Sequence, residues 1–142
     1  MSYLVFTDGA SKGNPGPASI GAVCFTGAPC ELAEIESGHP NIVFTISEKI
    51  GKKTNNEAEY TSVMKAIEKL KEKGIDEAII YMDSELVIRQ INGQYKVKSK
   101  TLYPYYEKVK LLSSGKKFQF LHVKREKNTI ADYLANMAFK NG

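Results

Sequence analysis

Residues 3–18 of the chain have the sequence YLVFTDGASKGNPGPA, in which an apolar run leads into an aspartate and then into a cluster of turn residues. Residues 3–7 are apolar on both faces, as is typical of a central strand covered on two sides. Asp8 follows the last residue of that predicted strand. The turn cluster at residues 13–17 then leads into a second strand, predicted over residues 18–26. The segment therefore predicts two antiparallel strands, with a carboxylate at the end of the first.

The rest of the chain shows alternating helical and strand patterns. A third strand is expected within residues 32–46, and two more over residues 77–82 and 118–123. Helices are predicted over residues 54–73, 84–91, 103–112 and 128–139. Gly74 and Gly93 follow two of these helices, and Pro104 lies in the first turn of a third. The pattern predicts an α/β fold.

Length and composition limit the class of protein. The 142 residues are enough for one domain with its own core, so we expect a single domain over residues 1–142. No apolar run approaches the roughly 20 residues that span a bilayer, and no membrane partner is expected. The N-terminus lacks a signal-peptide pattern, and Cys24 and Cys30 are spaced like neither a redox pair nor a zinc site. We therefore expect reduced thiols and a cytoplasmic location.

Basic residues are concentrated between positions 89 and 127, where Glu107 and Glu126 are the only acids. A solvated lysine-rich surface and a footprint for a phosphate backbone would both have this composition. Tyrosines are interleaved with the lysines. This favours the footprint for a nucleic-acid backbone, because aromatic side chains can pack on sugars or bases. These tyrosines are Tyr95, Tyr103, Tyr105 and Tyr106.

Glu59 has the helical spacing of a core residue. Apolar side chains follow it at positions i+4, i+7 and i+11, namely Val63, Ala66 and Leu70. The carboxylate therefore shares the stripe that should face the core. A buried glutamate is costly unless it is paired with a cation, a metal or its own proton. A salt bridge, a position near a frayed helix start and a metal site all stay open for Glu59.

Three aspartates are more informative as a group than singly. Asp8 and Asp83 each follow a predicted central strand, and the carboxyl ends of parallel neighbours would bring both into one crevice. Asp132 lies at the margin of the apolar face of the last predicted helix. Taken singly, each has an ordinary explanation as a turn residue or a helix-start acid.

Four segments carry a resemblance to a known family. In chain order they are TDGASKGNPGPASIG, TNNEAEY, DSELVIRQING and HVKREKNTIADYLANMA. Together they resemble the type 1 ribonuclease H family, and the similarity runs from residue 2 to residue 139. The resemblance implies the ribonuclease H-like fold, an α/β fold in which a five-stranded mixed sheet carries helices on both faces.

The resemblance also implies a reaction. Asp8, Glu59, Asp83 and Asp132 would hold two Mg²⁺ ions, with Asp8 bridging them and Mn²⁺ as a possible substitute. Carboxylate oxygens suit Mg²⁺, which prefers hard ligands. The implied activity is endonucleolytic hydrolysis of the RNA strand of an RNA/DNA hybrid, leaving 5′-phosphate and 3′-hydroxyl ends.

Substrate-binding positions follow from the same resemblance. The glycine-rich turn and the TNN segment would line the minor groove, where the 2′-hydroxyl distinguishes RNA from DNA. Thr54 and Asn92 would meet a phosphate of the DNA strand. Ordinary turn and helix-cap chemistry is the alternative for the asparagines. The candidates for the minor groove are Ser11, Lys12, Gly13, Asn14, Asn55 and Asn56.

The chain departs from the family pattern in three places. Glu85 stands where many members have glutamine, and its charge would repel a nearby phosphate. The loop before Asp132 lacks the histidine of the better-studied bacterial enzymes, as in shorter archaeal and some bacterial members. His122 is predicted to be a structural strand residue, and Arg125 is the candidate to contact phosphate in that loop. Without a basic protrusion, affinity would depend on surface lysines, including Lys96, Lys98, Lys100 and Lys124.

Three functions stay open. The leading one is the hybrid-specific endonuclease, acting as a monomer on an RNA/DNA duplex. A second is a broader nuclease that also cuts RNA/RNA duplexes or serves as a reverse transcriptase domain, the latter disfavoured because these residues contain no polymerase segment. The third is a hybrid-binding module without catalysis, which is disfavoured because all four carboxylates are present.

Overall fold

The computed structural model describes residues 2–140. The ends of the predicted domain 1–142, namely Met1, Asn141 and Gly142, lie outside the described residues. Among the helices within the described range, none is long and apolar enough to cross a membrane. The strands are β1 (Tyr3–Ser11), β2 (Gly16–Thr26), β3 (Ile42–Lys53), β4 (Glu77–Met82) and β5 (Lys117–His122). The helices are α1 (Asn55–Glu72), α2 (Glu85–Ile91), α3 (Tyr103–Ser113) and α4 (Thr129–Lys140), with short 3-10 turns at Leu32–Glu34 and Arg125–Lys127.

The five strands form one mixed sheet in the order β3-β2-β1-β4-β5. β1, β2 and β3 pair antiparallel, whereas β4 is parallel to both β1 and β5. Successive residues of β1 point to opposite faces: Val5 belongs to the larger core with α1, α2 and α3, and Phe6 packs against the smaller core with α4. The predicted five-stranded mixed sheet with helices on both faces is confirmed.

Two predicted strands have wrong bounds. β1 was expected to end at residue 7, but it continues to Ser11 because Asp8 through Ser11 pair with β2. Asp8 therefore lies inside the strand. The third strand was expected within residues 32–46, but β3 spans Ile42–Lys53 and Leu32–Glu34 is a 3-10 turn. Its second half is an exposed outer edge and lacks the apolar alternation of a half-buried strand.

Helix bounds agree closely with prediction. Thr54 caps α1: its hydroxyl accepts the Glu57 N–H at 3.1 Å, and a Glu57 carboxylate oxygen accepts the Thr54 N–H at 2.9 Å. Ser84 caps α2 by accepting the Val87 N–H at 3.3 Å. Pro104 lies in the first turn of α3, as expected.

Two glycines allow helices to lie directly on strands. A Cβ atom added at Gly9 would lie 2.3 Å from the Ala58 backbone, and one at Gly21 would lie 2.2 Å from the Ala131 carbonyl oxygen. Any larger residue would push α1 away from β1 or α4 away from β2. These contacts fix the helices that carry Glu59 and Asp132 against the strands around Asp8.

Candidate carboxylate site

The parallel pairing of β1 with β4 brings two aspartates together. Thr7 lies opposite Met82 in the register, so the next residues, Asp8 and Asp83, are neighbours at the same edge of the sheet. Asp8 is only 7% exposed. The expected meeting of two strand-borne carboxylates is confirmed, although Asp8 is an interior residue of its strand.

Glu59 reaches the same point from α1. Its side chain is 4% exposed, and the apolar residues of its stripe are buried with it. One carboxylate oxygen accepts the Gly9 N–H at 2.6 Å, which ties the glutamate to the residue after Asp8. Asp8, Glu59 and Asp83 each offer an oxygen within 4.8 Å of the other two. The three side chains can therefore serve one ion or a pair of ions.

Asp132 completes the group from the other face of the sheet. It lies half-buried in the first turn of α4, close enough to Asp8 for its charge to matter. Burial raises the pKa of Asp8 to about 8, and the charges of Asp83 and Asp132 add to this shift. Burial also raises the pKa of Glu59, reinforced by the Asp8 charge and opposed by the Gly9 N–H.

The donor set fits hard divalent cations. All four groups are carboxylates, and none of the ion pairs formed within residues 2–140 involves them. Burial is the main cause of the raised pKa values of Asp8 and Glu59, and repulsion between crowded carboxylates without a cationic partner adds to it. A salt bridge to lysine is therefore excluded as the explanation of Glu59, and the cluster has the oxygen donors that could hold a divalent cation.

Asn128 holds part of the site and was not among the predicted site residues. Its side chain is 1% exposed, and its amide nitrogen lies 3.2 Å from an Asp83 carboxylate oxygen and 2.9 Å from the Thr7 carbonyl oxygen. The amide oxygen has no hydrogen-bond partner. The sequence placed Asn128 at a helix start but gave no sign of these long-range contacts.

The predicted minor-groove residues form a second region, which we call the polar turn surface: Ser11, Lys12, Gly13, Asn14, Asn55 and Asn56. The structure joins its two segments, because the Asn14 side-chain oxygen accepts the Asn55 N–H at 3.0 Å. The Ser11 hydroxyl donates to the Lys53 carbonyl at 2.8 Å. Lys12 places its ammonium 4.5 Å from the centre of the Phe139 ring. These contacts also fit the turn and cap chemistry left open above.

A polar network anchors the start of α1. Lys53 donates to the Tyr105 hydroxyl at 2.9 Å, and that hydroxyl donates to Glu57 at 3.1 Å. Because Glu57 also caps α1 together with Thr54, the network connects the start of α1 to α3. Ser11 of the polar turn surface joins it through the Lys53 carbonyl. The Thr54 side chain is engaged as a cap, and its predicted contact with a phosphate stays a prediction.

The structure places the remaining predicted residues on α2, β5 and the 3-10 turn that follows β5. Asn92 ends α2, at the far end from Asp83, and donates to the Phe120 carbonyl at 2.9 Å. Arg125 is exposed in the turn that leads to Asn128.

His122 ends β5 opposite Met82, so its strand assignment is confirmed, although its side chain is exposed. Glu85 accepts a hydrogen bond from the Arg89 Nε–H at 2.8 Å and forms an ion pair with Arg89 Nη2 at 2.8 Å, which offsets its charge.

Comparisons with known proteins identify relatives of this chain and of its fold. A family model described as reverse transcriptase-like matches residues 6–138. The structure of RNase H1 from the halophilic archaeon Halobacterium salinarum is 32% identical, covers 100% of both chains and superposes with a TM-score of 0.87. LC11-RNase H1, solved in complex with an RNA/DNA hybrid, is 37% identical, with 99% of this chain and 98% of that chain covered and a TM-score of 0.84.

Curated relatives extend beyond the matched region. The bifunctional protein Rv2228c of Mycobacterium tuberculosis is 36% identical over 139 residues, which are 97% of this chain and 35% of that protein. The chain thus spans about a third of the length of the mycobacterial relatives that it matches.

Proposed function

The chain belongs to the type 1 ribonuclease H family, and from this membership we propose that it hydrolyses the RNA strand of RNA/DNA hybrids as a metal-dependent endonuclease. The observation that carries the proposal is the convergence of Asp8, Glu59 and Asp83 within 4.8 Å of one another, with Asp132 beside them. These carboxylates come from the interior of β1, the residue after β4 and two helices, so only the folded chain assembles them.

Two Mg²⁺ ions fit the donor set, and Mn²⁺ could substitute for them. Asp8, Glu59, Asp83 and Asp132 would hold them, and Asp8 lies next to the other three. When bound, such a pair of ions activates an attacking water and stabilises the leaving 3′-oxygen of a phosphodiester. We propose that the products carry 5′-phosphate and 3′-hydroxyl ends.

The chain's own residues orient this site. The Gly9 N–H fixes Glu59, and the Asn128 amide orients Asp83 against β1. Asp132 is half-buried, lies close enough to Asp8 for its charge to raise the pKa of Asp8, and lines a neighbouring cleft. Buried ligands held by backbone contacts stay oriented without substrate, which lowers the reorganisation needed for reaction.

Recognition of the RNA strand would use the polar turn surface. Asn14 and Asn55 are joined there, and short amide side chains can pair with 2′-hydroxyl and base-edge groups in a shallow minor groove. Ser11, Lys12, Gly13 and Asn56 would contribute to the same surface, with Thr54 and Asn92 toward the DNA strand and Arg125 on a phosphate. The RNA/DNA complex of LC11-RNase H1 supports this substrate class. We propose that the protein acts as a monomer in the cytoplasm.

The test is cleavage of three end-labelled duplexes of one sequence: RNA/DNA, RNA/RNA and DNA/DNA. Each is incubated with Mg²⁺, with Mn²⁺ and with chelator. We expect metal-dependent cutting of the RNA strand of the hybrid alone. Comparable cutting of RNA/RNA would support the broader nuclease, and binding of the hybrid without cleavage in either metal would support a non-catalytic module.

A further inference from the structure

A groove lined by lysines and apolar rings lies beside the polar turn surface. The β1–β2 turn, the start of β2, the end of β3 and the last turn of α4 form it, and it encloses about 820 Å³. Among the described residues that line it, none is acidic. Its cationic and ring-bearing side chains are Lys12, Lys49, Lys52, Pro15, Pro17 and Phe139.

The groove is continuous with the carboxylate site. A second cleft of about 500 Å³ is lined by Asp132 and Thr129 at one end and by Lys12 and Phe139 at the other. Lys12 and Phe139 line the first groove as well, so the two clefts adjoin at this cation–ring pair. A path therefore leads from the carboxylate of Asp132 to the lysines of β3.

A bulge in β3 places two lysines on the groove. Lys49 and Lys52 are three residues apart, so in a regular strand they would point to opposite faces. The pairing with β2 slips at this point: Gly51 lies opposite Ala18, whereas Lys49 lies opposite Ser19. Ile50 is the extra residue, and the slip lets both exposed lysines line the same groove.

We propose that this groove binds a single-stranded extension of the nucleic acid whose duplex part occupies the carboxylate site. The inference rests on the proposed function, which supplies the duplex. Lysines suit the phosphates of such a strand, and the rings of Phe139 and the prolines suit its sugars and bases. A duplex exposes its sugars but keeps its base faces stacked inside, so only an unpaired strand can place bases against these rings. Charge and apolar lining together thus select a single strand.

The test compares binding of three hybrids that share one duplex: a blunt hybrid and two that carry an unpaired DNA extension of about ten nucleotides, one at each end. Fluorescence anisotropy is measured with Mg²⁺ in an Asp8→Asn background, so that the RNA strand stays intact. The groove variant is Lys49→Gln with Lys52→Gln. The matched control is Lys65→Gln with Lys71→Gln, which removes the same charge from the exposed outer side of α1.

With the groove lysines intact, an extension at one end should raise affinity about tenfold, with a steeper salt dependence. That gain should fall below about twofold in the groove variant and persist in the control. The proposal is overturned if no extension raises affinity, if both lysine variants lose the gain equally, or if the groove variant weakens the blunt hybrid as much as the extended one. Cleavage of the blunt hybrid by the wild-type protein is scored separately, so failure of the proposed function is distinguishable from failure of the groove.

Discussion

The carboxylate site and the polar turn surface lie side by side but are built in different ways. Asp8 and Glu59 are buried, and backbone packing at Gly9 and Gly21 sets their surroundings. Asn14 and Asn55, by contrast, are exposed, and a hydrogen bond from the Asn55 N–H to the Asn14 side chain joins them. Changes at the carboxylates should therefore act through the whole fold and the metal. Changes at the turn surface should stay local and modest.

The largest effect on cleavage is expected for Asp8→Asn, which removes the carboxylate that lies next to the other three. Loss of metal-based charge stabilisation of several kcal/mol should lower the cleavage rate on the order of 10³-fold. Single-turnover cleavage of a labelled hybrid measures it. Asp76→Asn is the control, because Asp76 is an exposed aspartate paired with Lys116. Near-normal cleavage by Asp8→Asn would remove the basis for a carboxylate-bound metal.

Gly21→Ala tests the packing that supports the site. Gly21 lies opposite Asp8, and an added Cβ would lie 2.2 Å from the Ala131 carbonyl oxygen. The free energy of unfolding should fall by about 3 kcal/mol, because the neighbouring atoms are backbone.

Chemical denaturation of Gly21→Ala measures the loss, with Gly74→Ala as its control. Gly74 has a φ of +72° and nothing within 4 Å of an added Cβ, so its variant reports backbone strain alone, about 1 kcal/mol. Equal losses in the two variants would show that close helix packing at Gly21 contributes nothing extra.

Asn128→Ala tests whether the Asn128 amide orients Asp83, because the variant removes that contact and leaves the carboxylate in place. Without the amide that lies 3.2 Å from Asp83, the affinity for Mg²⁺ and the cleavage rate should each fall roughly 10- to 100-fold. Calorimetric titration of Mg²⁺ supplies a readout that a purely structural role would leave unchanged. Asn41→Ala is the control, since it breaks a 3.0 Å bond to the Ala28 carbonyl near the opposite end of β1. Unchanged metal affinity in Asn128→Ala would rule out the orienting role.

Thr54→Ala should have the smallest effect. Loss of the cap should lower the free energy of unfolding by about 1 kcal/mol, and Thr54→Ser should restore it. If the cap is the main role of Thr54, KM for the hybrid stays within a few-fold of the wild-type value in both variants. A large rise in KM in Thr54→Ala without loss of stability would instead favour the predicted phosphate contact.

Local patterns were enough to predict much of this site. The helical stripe of Glu59 and the position of Asp83 after a short buried strand depend on residues close in sequence, and both predictions are confirmed. The continuation of β1 through Asp8 could not be predicted in this way, because Gly9 has no side chain to extend the apolar pattern. The strand conformation of residues 8–11 comes from their pairing with β2.

Other features depend on contacts between distant residues. The second half of β3 is polar and exposed, so only its pairing with β2 identifies it as a strand. Asn128 acts through hydrogen bonds to residues 121 and 45 positions away, for which a single sequence gives no signal. The close approach of α4 to Gly21 could not be predicted from the sequence either, because it depends on how the helix packs on the sheet.

The most direct test of the central claim, that the buried carboxylates form a site for cations, is thermal unfolding of wild type and Asp8→Asn at pH 8. A folded-state pKa of about 8, against an unfolded value of about 4, means that Asp8 makes the metal-free fold less stable as the pH rises between those values. In chelator, Asp8→Asn should therefore unfold at a higher temperature than wild type. Mg²⁺ at ten times its Kd should stabilise wild type by about 1.4 kcal/mol and the variant far less. A less stable variant in chelator, together with no response of the wild type to Mg²⁺, would contradict the account.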